Sequence, residues 1–397
     1  MTNTVLDSTN RNCIWESALR KAQREEELSL QEVTALLESN EEQTWELFAT
    51  ADEIRRRYVG DEIHLRGIIE FSNYCQRNCL YCGLRRGNKS LQRYRMPLEE
   101  IVECARMASG IGFKTVVLQS GEDPWYTIER IEQMVRAVKS VADVAITLSI
   151  GERPHDEYRR MRMAGADRYL LKHETADEGL YRALHPDCTY SERLRCLRRL
   201  KEVGFQVGAG SMVGLPGQTT QMMAKDILLL RDLDVDMAGI GPFIPNPDTP
   251  LGEAPGGTVE MTLKMIALAR IVTKDAHIPA TTALSTIDAL GREKAWRAGA
   301  NVVMPNLTPI RYREHYRIYP NKACLFDETR HCWTCLHRRI ASVGRRVSTD
   351  YGHSQRSSGM KPASSSGEQE SSTLGYQRSN PIGGSLATQY GGPEQHG

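Results

Sequence analysis

Cys75-Gln-Arg-Asn-Cys79-Leu-Tyr-Cys82 brings three cysteines together at C-x3-C-x2-C spacing. Fe–S clusters are held by cysteine thiolates at short, regular spacings, and three protein thiolates on a four-iron cube leave one iron open to a small molecule. Zinc prefers four closed ligands, usually from C-x2-4-C pairs. No fourth Cys or His lies near this triplet, so the spacing favours a cluster over a zinc knuckle. The run before it, EIHLRGIIEFSN at 62 to 73, is rich in β-branched and aromatic residues and reads as a strand. The cysteines therefore follow a strand's C-terminal end.

Outward from there, β-rich runs alternate with amphipathic segments. Candidate strands are 62 to 71, 115 to 120, 144 to 150, 168 to 174, 206 to 213, 237 to 243, 278 to 284 and 302 to 307. Strands alternating with helices imply a parallel sheet, and eight such units close a (β/α)8 TIM-type barrel of α/β class. An open doubly wound sheet or a partial barrel of six units is the competing arrangement. Before the barrel, residues 1 to 60 form a helical extension that caps it. Ser29-Leu-Gln-Glu32 has the capping-box form, and Trp45, Phe48, Ala51, Ile54 and Tyr58 fall close to helical spacing. The barrel is expected over 61 to 310, with a cysteine-containing segment at 311 to 343. Residues 344 to 397 are rich in Ser, Gly, Gln and Pro, nearly without aliphatic residues, and are expected to be a disordered tail.

In a barrel the site is built at the C-terminal ends of strands, and alternate residues point inward. The third strand then sends Ala145, Thr147 and Ser149 to the lumen and Ile146, Leu148 and Ile150 to the helices. The fourth puts Lys172 and Glu174 on one face, either as a structural ion pair or as ligand contacts. Lys plus Arg number 51 against 50 for Asp plus Glu, so neither a nucleic acid nor an anionic membrane is expected as partner. No apolar run approaches the ~18 residues that span a bilayer. Ten cysteines without a secretory h-region point to a reducing compartment, where thiols serve metals. The cytoplasm is the expected site, with a hydrogenosome or mitochondrion as the eukaryotic alternative. Cys324, Cys332 and Cys335 make a second triplet with His331 and His337 beside it, open to Fe–S or zinc. Cys13, Cys104, Cys188 and Cys196 read as incidental thiols.

The cysteine loop after a first strand, with Tyr81 before its last cysteine, resembles the radical S-adenosylmethionine superfamily. The string IIEFSNYCQRNCLYCGLRRGNKSLQRYRM (68 to 96) narrows the resemblance to the biotin synthase-like branch, and within it most closely to the HydE family of [FeFe]-hydrogenase maturases. VLQSGED from Val117, RYLLKHETA from Arg168, GAGSMVGLPGQT from Gly208, GIGPFIPNPDTPL from Gly239 and IPATTA from Ile278 extend it over roughly 30 to 343.

This resemblance implies the full barrel, a [4Fe-4S] cluster on Cys75, Cys79 and Cys82, and S-adenosylmethionine bound at its open iron. It assigns Glu174 to the ribose hydroxyls or sulfonium, Arg193 to the methionine carboxylate and Ser149 to a polar contact. Ser120-Gly121-Glu122 stands where relatives carry Gly-Gly-Glu, a backbone approach to the methionine amine. Met237, Thr281, Thr282 and Met304 would line the deeper substrate cavity, with Lys172 where many relatives carry Arg for an anion or cyanide contact. Cys324, Cys332 and Cys335 would hold an auxiliary [2Fe-2S] or [4Fe-4S] cluster remote from the barrel centre. The implied substrate is an iron-bound cysteine carrying carbon monoxide and cyanide, delivered by the maturase HydG, with product passed to HydF. A ferredoxin or flavodoxin would supply the electron. Methylornithine synthase and biotin synthase are the rivals within the class, and a non-catalytic iron–sulfur scaffold is the rival outside it. The scaffold would need the cysteines but not Glu174, Arg193 or the glycine turns.

Overall fold

Eight parallel strands follow one another around a closed ring: β1 Glu62–Ser72, β2 Thr115–Ser120, β3 Ala145–Ser149, β4 Arg168–Leu170, β5 Gln206–Ala209, β6 Met237–Ala238, β7 Pro279–Ala280 and β8 Val302–Val303. The computed structural model describes residues 8–325 and 329–358, and only the backbone of 8–11, 329–332 and 357–358. β8 returns to β1 through His64↔Val302 and Leu65↔Val303. The seam between β6 and β7 is a single bridge, Met237↔His277, with Ala238 N donating to His277 O at 3.0 Å. The alternation expected of the third strand holds. Ile146, Leu148 and Ile150 pack in the hydrophobic core, while Thr147 and Ser149 line the central cavity.

The strands are shorter than the apolar runs suggest. β4 stops at Leu170, and four residues on Glu174 takes a left-handed backbone, φ +66. Beyond β5 and β6 the chain pairs again as a two-residue ladder, Met212–Val213 with Gly241–Pro242, and as a bridge between Glu174 and Ser211.

Three helices precede the barrel: α1 Ser8–Gln23, α2 Leu30–Leu37 and α3 Glu41–Val59. The capping box is closed in both directions, Ser29 N to Glu32 Oε2 at 2.8 Å and Glu32 N to Ser29 Oγ at 3.3 Å. α2 packs on the outer helix Thr220–Asp232 and α3 on Val259–Thr273. Covered on both sides, Val259–Thr273 buries even Lys264, whose ammonium donates to Ser39 O at 2.7 Å. Trp45, grouped with the apolar face by its spacing, is 67% exposed; Ala51 and Ile54 are buried as expected, and Leu47 joins them.

Residues 344–358, expected to be unpacked, are part of the barrel's floor. β9, Arg346–Val347, pairs in parallel with β1 through Glu62↔Arg346 and Ile63↔Val347. Buried Arg345 donates to Ala300 O at 2.8 Å and Glu62 O at 3.0 Å. Further on, Tyr351 O accepts from Arg168 Nη2 at 2.5 Å and Gly352 O from Arg66 Nη2 at 3.1 Å. A polar segment is ordered here because its carbonyls satisfy guanidinium groups buried under the barrel, and charge-assisted bonds are the strong ones. Composition could not show this, since the partners lie on β1 and β4. The expectation of disorder over 359–397 falls outside the described residues.

Candidate functional site

A cavity of about 390 Å³ runs down the barrel axis. Cys75, Cys79 and Cys82 line it at the strands' C-terminal side together with Tyr81, and Arg66 and His277 line it at the lower layer. All three cysteines are free thiols. Burial pushes each thiol pKa up, with neighbouring sulfurs adding to the effect at Cys79 and Cys82, the latter to about 12. Three thiolates crowded into an apolar site are unfavourable until a cationic metal centre compensates them. The donor set therefore fits an iron–sulfur cluster, and backbone N–H groups of Arg77 and Leu84 reach the sulfurs of Cys75 and Cys82.

The loop is held rigidly. Gly121, at the end of β2, packs so closely that a Cβ would lie 2.3 Å from Tyr74 O and 2.7 Å from the Cβ of Cys75. Its glycine is required by the cysteine loop itself, and Gly121 does not line the cavity, whereas Ser120 and Glu122 do. Arg77, between the first two cysteines, pairs with Glu122, with Glu152 at 3.0 Å, and donates to Asp187 O at 2.9 Å. Leu80 N donates to Leu184 O at 3.0 Å, and Tyr81 Oη stands 2.8 Å from His185 Nε2. His185 Nδ1 donates to Tyr181 O, so Nε2 is the acceptor for the tyrosine.

Arg193 could have been a solvated surface residue by its place on the helix Tyr190–Glu202. It is instead buried, with Nε on Glu152 Oε1 at 2.6 Å and Nη1 on Lys172 O at 2.5 Å, and it lines the cavity. Arg77, Glu122, Glu152 and Arg193 thus form a charge-balanced set across the mouth. Sequence reasoning missed Arg77 and Glu152. The only local signal was Gly151 before Glu152, a glycine at φ +79 whose Cβ would strike Glu122 Cγ at 1.9 Å.

Glu174 and Lys172 both line the cavity and form an ion pair, Nζ to Oε2 at 3.1 Å. Glu174 is fixed by its own backbone, N donating to Gly210 O at 2.9 Å and O accepting from Met212 N at 3.0 Å. Lys172 is the one side chain that the buried Oε2 of Glu174 meets among the described residues. A non-glycine residue in the left-handed region costs of order 1–3 kcal/mol and persists where its surroundings enforce it. Behind it, buried His173 is neutral, its pKa lowered to about 3 by burial and by Lys172, and its Nδ1 accepts from Gly210 N at 3.3 Å. Fully buried Asp226 accepts from Ala176 N and from Gln218 Nε2 at 3.1 Å, tying together the loops after β4 and β5.

Ser149, Met237, Thr281, Thr282 and Met304 also line the cavity. Met237 Sδ accepts from buried Arg66 Nη1 at 2.7 Å, and Thr281 caps the helix Thr282–Ile287 by accepting from Leu284 N at 3.3 Å. Cys324 borders a second, small cavity that shares Ile68, Glu70, Thr282, Met304 and Lys322 with the first, so one layer of side chains separates the two. The partition is the pair of Lys322 Nζ with buried Glu70 Oε1, at 2.5 Å. Cys324 is therefore nearer the barrel interior than expected. Cys335 is exposed, and the side chain of Cys332 lies outside the described residues.

Residues 69–230 match the Radical SAM superfamily. The chain is 56% identical over 310 residues to the [FeFe] hydrogenase maturase subunit HydE of Thermotoga maritima, covering 78% of this chain and 89% of that protein. It is 32% identical over 280 residues to 3-methylornithine synthase of Methanosarcina acetivorans, covering 70% and 79%. Among solved structures, that of methylornithine synthase superposes with a TM-score of 0.75 at 28% identity, covering 83% of this chain and 97% of that one. No helix among the described residues is long and apolar enough to cross a membrane.

Proposed function

Because the chain belongs to the HydE family of [FeFe]-hydrogenase maturases, radical S-adenosylmethionine enzymes, we propose that its barrel cavity processes an iron–cysteine complex carrying carbon monoxide and cyanide. The observation that carries this reading is the joint lining of one cavity by the three cysteines, Glu174, Arg193 and Thr282. Cys75, Cys79 and Cys82 would hold the [4Fe-4S] cluster. When bound, the cluster and S-adenosylmethionine supply one-electron cleavage of a carbon–sulfur bond and the radical chemistry that follows.

The chain's own residues bind, orient and exclude water. Glu174, lining the cavity and paired with Lys172 through Oε2, accepts from the ribose hydroxyls and opposes the sulfonium charge. Arg193 is anchored through Nε and Nη1, so its remaining N–H groups are free to meet the methionine carboxylate. Ser149 and the Ser120–Glu122 backbone serve the remaining polar groups. Below them Met237, Thr281, Thr282, Met304 and Lys172 face the substrate, with Lys172 donating to the anionic ligands. A scaffold would have no use for a strained glutamate and a buried arginine aimed into a cavity.

HydG would deliver the substrate and HydF receive the product, in the cytoplasm, with a ferredoxin or flavodoxin as electron source. Cys324, Cys332 and Cys335 would hold an auxiliary cluster. Coexpression of an [FeFe]-hydrogenase with HydF, HydG and this chain, in a host lacking the system, tests the reading. Active hydrogenase with the wild type and none with Cys79→Ala is expected. Equal hydrogenase activity with and without this chain would overturn it.

A further inference from the structure

We propose that the outer face of the cysteine loop is the docking surface for a small acidic one-electron carrier protein, an inference that rests on the cluster assignment above. The chain as a whole carries +1, but residues 83–97 hold Arg85, Arg86, Lys89, Arg93 and Arg95 and no acidic residue. That segment folds directly over the ligand loop. Arg85 N donates to Cys82 O at 3.1 Å, Arg86 N to Arg77 O at 2.9 Å and Gly87 N to Asn78 Oδ1 at 3.1 Å. Arg317 joins the same face, because Gly83 N donates to Ile318 O at 3.0 Å and a Cβ on Gly83 would lie 1.9 Å from Arg317 O.

Two of these cations are consumed by the fold. Arg93 donates to the carbonyls of Asn73, Leu84, Arg85 and Asn88, and Arg95 forms a two-pronged pair with Asp123. Arg86, Lys89 and Arg317 are exposed. Among the described residues only Arg86 of these three reaches a carboxylate, Asp187 at 3.6 Å. Arg317 Nε donates to Glu314 O at 2.9 Å and Arg86 Nη1 to Gln76 O at 3.4 Å, one carbonyl each against the four that Arg93 meets, so these three exposed cations leave a positive face over the cysteine loop. An electron must reach the cluster from outside the barrel, and this face is the short way in. A carrier with acidic residues around its own redox centre matches the face in sign and in position. Complementary charge of this kind raises association rates by roughly 10- to 1,000-fold at low ionic strength, and salt screens the gain.

The test uses the full, cluster-loaded chain and the triple variant Arg86→Glu, Lys89→Glu, Arg317→Glu, following 5′-deoxyadenosine formation with reduced bacterial ferredoxin or with dithionite. The ferredoxin-driven rate at low salt is expected to fall roughly tenfold or more and to lose its salt dependence. The dithionite-driven rate should stay within about twofold, since a small reductant needs no docking face. An unchanged ferredoxin rate, or a wild-type ferredoxin rate indifferent to ionic strength, overturns the proposal. If both rates fall together, ferredoxin titration onto the same proteins decides: weaker binding by the variant supports the docking face, and equal affinity overturns it. Absence of cleavage by the wild type with dithionite would instead sink the cluster reading, and this proposal with it.

Discussion

Removal of the segment after Val343 should destabilise the barrel, whereas removal of the residues after Ser358 should not. Residues 344–358 give Arg66 and Arg168, 4% and 0% exposed, their acceptors at Gly352 O and Tyr351 O. Hydrogen bonds to charged groups are worth about 1.5–3 kcal/mol each, so the two together represent about 4 kcal/mol. Water entering the opened floor offsets part of this. The lost pairing of β9 with β1, and the Ser348 Oγ bond to Glu62 Oε2 at 2.7 Å, add to it. Unfolding entropy of ~2.1 cal/mol/K per residue over about 350 residues gives ~0.7 kcal/mol/K, so a loss of about 4 kcal/mol lowers the melting temperature by ~5–6 °C. Differential scanning calorimetry of the two truncations, purified anaerobically side by side, reads this directly. If they melt within about 1 °C of each other, the carbonyls are not what satisfies those guanidinium groups, and the reasoning fails.

Three further outcomes follow from the site. Gly121→Ala should leave less than about half the iron bound, because its Cβ meets backbone Tyr74 O and the Cβ of a ligand cysteine, neither of which can yield cheaply; full iron content by colorimetric assay would contradict this. Glu174→Gln should assemble its cluster normally yet bind S-adenosylmethionine tens-fold more weakly, since truncating a desolvated charged contact costs about 2–5 kcal/mol. A titration followed by the reduced-cluster EPR signal measures it, and equal affinity would remove Glu174 from the binding site. Cys335→Ala should lose a separate iron signal while cleavage persists. Loss of cleavage there would draw the C-terminal cysteines into the barrel's chemistry, a connection made plausible by the single layer of side chains between Cys324 and the main cavity.

Periodicity and spacing carried the barrel. The eight β-rich runs are the eight strands in order, and alternation along the third strand correctly sorted Thr147 and Ser149 from Ile146 and Leu148. Such patterns are local, repeating every two residues, and survive in a single sequence. What was not legible depends on partners distant in the chain. The burial of Arg193 depends on Glu152, from beyond β3, and on the carbonyl of Lys172, from beyond β4. The close packing of Gly121 against Tyr74 O and Cys75 Cβ likewise joins residues far apart in the chain. The floor segment looked incapable of order because it lacks aliphatic residues. Its order comes from backbone acceptors, which every residue possesses and composition therefore cannot display. Trp45 failed for the opposite reason: helical spacing placed it near an apolar stripe whose width the sequence does not define.

The most direct test of the central claim is the yield of 5′-deoxyadenosine from S-adenosylmethionine by the anaerobically reconstituted, dithionite-reduced protein, compared between the wild type and Cys79→Ala. The account predicts accumulation with the wild type. It predicts none with the variant, in which two thiolates remain and the cluster with its open iron cannot be held. Equal yields from the two proteins, or none from a wild type with full iron content, would contradict the assignment of the Cys75–Cys79–Cys82 loop as the catalytic centre.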